Sequence, residues 1–94
     1  MDWLEIIELQ TVNTTHDKFE AKLKSLLKDF HDSTEDRIVK IYNRLSLESD
    51  ISIHIRHQSD KTDINGSPEA IQLVEALKQF GLTSHSIWIE QSAK

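Results

Sequence analysis

The stretch from Arg37 to Ser59 constrains the fold most, because its pattern predicts a β-hairpin. In its second half Ile51, Ile53 and Ile55 alternate with polar residues. A period of two with β-branched residues is typical of a strand with one buried and one polar face. The predicted strands and turn span Ile38 to Leu45, Ser46 to Ser49 and Asp50 to His57. Since the isoleucines need a core, the hairpin fixes the sheet face on which helices can pack.

Length and composition predict one small domain, residues 1–94, and fit a reducing compartment; we expect a cytoplasmic protein. The chain has 94 residues and no cysteine, which excludes disulfides, thiolate metal sites and a cysteine nucleophile. Its 16 acidic against 11 basic residues give a net charge of −5, which disfavours nucleic acid as a partner. No run reaches the ~18 apolar residues that a membrane span needs, so we expect no membrane association.

The rest of the chain predicts two more strands and two helices. Trp3 to Val12 has apolar residues at both parities, as in a strand buried on both sides. An amphipathic helix follows, and its apolar stripe comprises Phe19, Leu23, Leu26, Leu27 and Phe30. The second helix is capped by Ser67, runs from Pro68 to Phe80 and ends on a left-handed Gly81. Ser84 to Gln91 is the last strand.

This order, β-α-β-β-α-β, predicts an α+β fold of the ferredoxin-like type: a four-stranded antiparallel sheet with two helices on one face. The first and third strands should lie at the centre. The register of the first strand is ambiguous, since Ile6 and Ile7 are neighbours, and we assign its even positions to the helices. The predicted helix-facing set is Leu4, Ile6, Val39, Ile41, Leu45, Ile51, Ile53, Ile55, Ile87 and Ile89.

The opposite sheet face then carries a large apolar patch, comprising Trp3, Ile7, Leu9, Tyr42 and Trp88. Such a patch exceeds what a soluble monomer usually exposes. The same face of a second copy, related by a twofold axis, would cover it. We therefore predict a homodimer with Trp3, Ile7, Leu9 and Trp88 at the interface.

With this order of elements the chain resembles the dimeric α+β barrel proteins, and within them the antibiotic-biosynthesis-monooxygenase-like group. The resemblance lies in the element order, in Trp3-Leu4-Glu5-Ile6, and in Leu77-Lys78-Gln79-Phe80-Gly81 with Ile87-Trp88-Ile89-Glu90. It implies a dimer closed through the sheets, with ligands between each sheet and its own helices. It also implies the family's range of activities, which includes cofactor-free monooxygenases and haem-degrading enzymes.

The haem-degrading activity does not carry over to this chain. Those family members resemble one another in an Asn on the first strand, a Trp near the third strand and a His on the following helix. Here the first strand has no Asn, the third has no Trp, and the helix from Pro68 to Phe80 has no His. We predict no cofactor.

Glu8, Asn43 and His85 form the first candidate site, since the ends of their strands meet at one edge of an antiparallel sheet. If Glu8 faces the helices, a Glu–His pair beside an amide can act as base and polariser. The alternative is that His85 makes a structural hydrogen bond and Glu8 points to solvent.

Tyr42, His54 and Arg56 form the second candidate site, on the face away from the helices. Arg56 and His54 can hold an anionic substrate while Tyr42 donates a proton. The alternative is that all three line the dimer interface and pair with Glu5 and Glu90, as Tyr and Arg are enriched at interfaces.

No metal or RNA site is predicted. His54 and His57 are three residues apart on a strand, so they point to opposite faces and cannot chelate one ion. The loop from Asp60 to Gly66 lacks the spacing of a calcium loop and its downstream Glu. The third strand lacks the aromatics of an RNA-binding sheet.

Two functions therefore stand as hypotheses. The first is a small cofactor-independent monooxygenase acting on a small organic substrate, as the resemblance implies. The second is a non-catalytic dimeric module that binds a small molecule or a protein. A pocket between sheet and helices with His85 in its wall would favour the enzyme.

Overall fold

A computed structural model describes residues 2–11, 16–31, 37–45, 47–58 and 62–91. The element order is the predicted β-α-β-β-α-β, with one short 3₁₀ turn before the last strand. The elements are β1 (Trp3–Thr11), α1 (His16–His31), β2 (Arg37–Arg44), β3 (Leu47–His57), α2 (Pro68–Leu77), the 3₁₀ turn (Lys78–Phe80) and β4 (Gly81–Ile89). Val12, the last residue of the predicted first strand, lies outside the described residues.

The four strands form one antiparallel sheet in the order β2-β3-β1-β4. The first and third strands are central, as predicted. In β1, Glu5 pairs with Ile55 of β3 on one side and with Ile87 of β4 on the other. These pairs align the side chains of three strands in rows across the sheet.

The predicted register of β1 is wrong. Its odd positions, Trp3, Glu5, Ile7 and Leu9, are the buried ones, and Glu8 and Gln10 are exposed. Three of the four odd side chains are large and apolar, whereas the even set ends in Glu8 and Gln10, so the odd face buries more apolar area. The residues proposed for the dimer interface as Trp3, Ile7 and Leu9 thus belong to the core, as does Glu5, while Leu4 and Ile6 turn away from the helices.

The core lies between the sheet and the two helices. Ile7, Ile53 and Ile55 have no exposed surface and pack in one cluster with Leu27 of α1 and Leu77 of α2. The predicted hairpin isoleucines therefore do face the helices. Leu45, placed in the same set from the sequence, is instead fully exposed at the hairpin turn.

The hairpin turn is shorter than predicted. Arg44 pairs with Leu47, so β3 begins at Leu47 rather than at Asp50. The register shifts between Asn43 and Arg44. Such an irregularity is the kind of bulge that bends the end of a strand pair.

Helix α2 begins as its sequence predicts and ends differently. Oγ of Ser67 accepts a hydrogen bond from the Ala70 amide, and Pro68 occupies the first turn. The helix then tightens into the 3₁₀ turn, and Gly81 is extended rather than left-handed. A Cβ at Gly81 would overlap the backbone of Gln10 and Thr11, so close pairing of β4 with β1 explains this glycine. No helix within the described ranges is both long and apolar enough to cross a bilayer.

Candidate active site

Glu5 lies at the centre of the site, on the middle strand of the sheet and under the start of α2. Its side chain has no exposed surface. Oε2 accepts from His57 Nε2 at 2.5 Å and from Ser67 Oγ at 2.7 Å. Oε1 accepts from the Ser67 amide and from His85 Nε2, both at 2.9 Å. Two histidines and one serine therefore surround a single buried carboxylate.

The sheet register brings the two histidines to Glu5. His57 pairs with Trp3 in the neighbouring strand β3, and His85 pairs with Ile7 in the neighbouring strand β4. Each histidine is thus a diagonal neighbour of Glu5 on the same face, a spacing that long side chains can bridge. His57 and His85 come from opposite sides of β1, so Glu5 links three strands.

The fourth element of the site is the start of α2. The backbone turns at Asp63, whose carbonyl accepts from the Gly66 amide at 3.0 Å. Gly66 has φ +91°, and a Cβ there would overlap both His85 and Glu5. The backbone at Gly66 therefore packs directly on the Glu5–His85 pair, at a position that only glycine adopts easily.

The hydrogen bonds hold Glu5 in its charged form. Burial by itself raises the pKa of Glu5, but hydrogen bonds from His57, Ser67 and His85 outweigh it, so the pKa lies below its ordinary value. An ionised carboxylate only accepts, so Nε2 of both histidines must carry a hydrogen. The Ser67 hydroxyl donates to Glu5 while its oxygen accepts from the Ala70 amide.

His85 is the member of this group with access to solvent. Its side chain keeps 16% of its surface exposed, against 7% for His57 and none for Glu5. Because Nε2 donates to Glu5, Nδ1 keeps its lone pair, and within the described ranges no group bonds to it. A partly exposed imidazole with a free nitrogen, held by a buried carboxylate, is suited to removing a proton from a substrate.

The first predicted constellation does not form. Glu8 is exposed on the sheet face opposite His85, because it has even parity in β1. Asn43 shares the helix-facing parity of His85 but lies on β2, with two strands between them, and is exposed. The carboxylate that His85 contacts is Glu5 and not Glu8.

Of the second constellation, Tyr42 and His54 come together. Their rings lie 4.7 Å apart on the helix-free face, and His54 Nε2 is 3.0 Å from Ser52 Oγ. Arg56 instead pairs with Asp2, with Nη2 at 2.6 Å from Oδ2. The three side chains share a face, and their part in substrate binding stays a prediction.

Glu5, His57 and Ser67 are not predicted from the sequence as members of one site. The composition of β1 carried the signal for Glu5, since a lone acid among Trp3, Ile7 and Leu9 must be buried with partners. The strand period predicts that His57 faces away from His54, and the structure agrees. Ser67 joins the site only through the tertiary structure, which brings its hydroxyl to Glu5.

A groove of about 450 Å³ opens elsewhere, at the hairpin end of the sheet. Most of its lining side chains belong to the helix-free face, and neither Glu5 nor His85 contributes to it. This groove is therefore not the pocket between sheet and helices, with His85 in its wall, that would favour the enzyme. Its walls are formed by Glu8, Leu9, Gln10, Tyr42, Asn43, Arg44, Asp50, Ile51, Ser52, Leu82, Thr83 and Ser84. Across the ranges that the structure describes, no group of three acidic or histidine side chains is arranged to hold a metal ion.

Solved structures share this fold. A conserved protein from Methanosarcina mazei superposes with a TM-score of 0.73 at 14% identity, covering 97% of this chain and 94% of that chain. Rv0793 from Mycobacterium tuberculosis gives 0.70 at 10%, covering 99% and 98%. SnoaB, a cofactor-independent oxygenase from Streptomyces nogalater crystallised as a mutant, gives 0.72 at 9%, covering 98% and 95%.

These likenesses confirm the predicted ferredoxin-like α+β fold. No family model and no curated protein matches the sequence. At such identities the shared property is the fold, and function has to be argued from the site.

Proposed function

We propose that the protein is a cofactor-independent oxygenase in which His85 removes a proton from a small organic substrate. The observation that carries this proposal is the hydrogen bond of His85 Nε2 to the buried carboxylate of Glu5. It orients the imidazole, leaves Nδ1 as the base and stabilises the imidazolium that forms. The fold shared with an oxygenase described as cofactor-independent supports the class of reaction.

The absence of a cofactor from this scheme restricts the substrate. The substrate must supply every electron that O₂ accepts, and oxidation of an acidic CH₂ group meets this condition. Removal of one proton by His85 gives a carbanion that can react with O₂. Overall, CH₂ and O₂ become C=O and H₂O: both C–H bonds break, one oxygen atom enters the carbonyl and the other leaves as water. We expect a CH₂ group flanked by carbonyl or aromatic groups, which stabilise its anion.

The test is an oxygen-consumption screen of such compounds against the parent and two His85 variants. His85→Gln keeps an N–H donor for Glu5 but has no basic nitrogen, so kcat should fall by roughly 100-fold, the lower bound for losing a general base. His85→Ala should lose activity as well, and should melt at a lower temperature because Glu5 loses a donor. Gln72→Ala, an exposed change on α2, is the matched control.

Equal oxidation rates for His85→Gln and the parent would show that His85 is not the base. No oxygen uptake by the parent with any activated CH₂ compound would count against the oxygenase itself.

The second candidate function is a binding module without catalysis, and the groove of about 450 Å³ favours it. A volume of this size suits a small ligand. Tyr42 lines the groove and packs on His54, so Tyr42→Ala should weaken ligand binding while His85→Gln leaves it unchanged. Calorimetry with ligands from the same screen separates this function from the first, because it predicts binding without oxygen uptake.

We also propose that the protein forms a homodimer through the helix-free face of its sheet. The described residues of this face expose four large apolar side chains at 39–70% of their surface: Ile38, Tyr42, Leu82 and Trp88. Tyr42 and Trp88 remain from the apolar patch predicted from the sequence, and Ile38 and Leu82 take the place of the buried Trp3, Ile7 and Leu9. The same face of a second copy would bury this patch. Since Tyr42 and Leu82 also line the groove, a ligand in the groove would lie between the two sheets of the dimer.

A further inference from the structure

We infer that His57 is a positioning residue for the proposed reaction: it fixes the carboxylate plane of Glu5, and through it the tautomer of His85. The inference rests on the proposed function of His85 and adds a residue that does not touch the substrate. His57 is buried, with 7% of its side chain exposed, and bonds to the oxygen of Glu5 that His85 does not use.

The two histidines act on opposite ends of one carboxylate. His57 bonds to Oε2 and His85 bonds to Oε1. The last torsion of a glutamate side chain has a broad energy well, so its partners decide where the carboxylate plane lies. Without His57, Ser67 Oγ is the remaining described donor to Oε2. The carboxylate can then turn about its last torsion toward Ser67, and Oε1 moves out of line with His85.

His57 is itself held rigidly, which qualifies it for this role. Its ring stacks on Trp3 with centroids 4.0 Å apart and planes inclined by 14°. Trp3 is buried, and its indole N–H bonds to no group in the described ranges. Packing against His57 and the core, and not a hydrogen bond, therefore fixes the position of the indole ring. Trp3, His57, Glu5 and His85 thus form a chain from the core to the partly exposed imidazole.

The tautomer of His85 is the property that this chain controls. A neutral imidazole carries one hydrogen, and its position depends on the hydrogen bond that the ring makes. With Oε1 in place the hydrogen stays on Nε2 and Nδ1 is the base. With the carboxylate turned away, the Nδ1–H form becomes populated, and that form presents no lone pair at the same atom.

The experiment reads the His85 tautomer directly by ¹⁵N NMR of the imidazole rings, at a pH high enough for imidazole to be neutral. The parent should show the Nε2–H form. His57→Phe keeps the stacked ring but removes the donor, so the His85 signals should shift toward the Nδ1–H form. His57→Gln places an amide N–H near the lost Nε2 and should restore the parent signals. His57→Asn, whose amide is too short to reach Oε2, replaces His57→Phe if that variant does not fold.

The same variants give a kinetic readout with any substrate that the oxygen screen identifies. His57→Phe should lower kcat about 10-fold with KM unchanged, an effect typical of losing an outer partner of a functional histidine. His57→Gln should recover most of the rate.

An unchanged Nε2–H signal for His85 in His57→Phe and His57→Asn would overturn the inference, whatever the activity. A shifted tautomer in a protein that oxidises nothing would leave the positioning role standing and count against the proposed reaction.

Discussion

Glu5 keeps a charge at a position that the sheet shields completely from water. An isolated buried carboxylate is costly, and such groups persist only when hydrogen bonds replace their hydration. Here four donors from His57, Ser67 and His85 do so. The same bonds that make the charge tolerable also hold a histidine in one orientation, so stability and the proposed chemistry share one residue.

Glu5→Gln should destabilise the protein by roughly 2–3 kcal/mol, because a neutral amide forms weaker hydrogen bonds than a charged carboxylate. In addition, the NH₂ group of the glutamine would face the N–H and O–H donors that surround Glu5. Urea unfolding of the parent and the variant measures the difference in free energy. Glu8→Gln is the matched control: it makes the same change on the same strand at an exposed position and should stay within ~0.5 kcal/mol of the parent. Equal losses for both variants would contradict a special role for Glu5.

The lowered pKa of Glu5 also sets a pH dependence. A carboxyl with a lower pKa in the folded state stabilises the fold above its unfolded pKa of about 4.5, and loses that contribution as the pH falls through the folded value. The free-energy difference between the parent and Glu5→Gln should therefore shrink as the pH falls from about 5 to below about 4.5. Urea midpoints over this range measure it, and a gap that widens toward low pH would refute the assignment.

At the scale of elements, the turn before α2 forms the contact between helix and site. Gly66 combines a positive φ with backbone packing on His85 and Glu5. Ser67 next to it caps the helix and donates to Glu5 through the same hydroxyl. The start of α2 and the ionised state of Glu5 are therefore coupled.

Gly66→Ala should cost more than about 1 kcal/mol, because a Cβ is strained at this φ and also collides with the two site residues. It should in addition shift the NMR signals of His85, which a purely local strain would leave in place. Ile64→Ala, in the same turn and 86% exposed, should change neither. A Gly66→Ala variant with parent stability and parent His85 signals would show that the turn is not packed as described.

At the scale of the whole molecule, the helix-free sheet face is the interface of the proposed homodimer. Light scattering at micromolar concentration should give twice the 10.9 kDa of one chain. Trp88→Glu should shift the mass toward one chain, because burying an unpaired charge across the interface is unfavourable. Within one chain Trp88 is 57% exposed, so its replacement should change the stability of the monomer little. The effect of Trp88→Glu on assembly should therefore exceed its effect on monomer stability.

Gln72→Ala, on the helix side of the molecule, should leave the parent mass unchanged. A parent protein that scatters as one chain would contradict the homodimer, and a Trp88→Glu variant that stays dimeric would remove Trp88 from the interface.

The sequence by itself determined the order of elements, the central strands and the face of the hairpin. The alternation of Ile51, Ile53 and Ile55, and the Ser67-Pro68 start of α2, are local signals whose energies depend on neighbours a few residues away. His85 could be singled out because it is a histidine next to the mostly aliphatic residues of the predicted helix-facing set.

Only the tertiary structure decided the register of β1 and the composition of the site. A strand that is covered by helices on one face, and has apolar residues at both odd and even positions, can turn either set toward the helices. The choice depends on which set buries more apolar area: Trp3, Ile7 and Leu9, or Leu4 and Ile6. That choice put Glu5 rather than Glu8 beside His85. The partners His57 and Ser67 are 52 and 62 residues away from Glu5 in the chain, so no local pattern specifies them, and sheet pairing and helix docking alone bring them to one carboxylate.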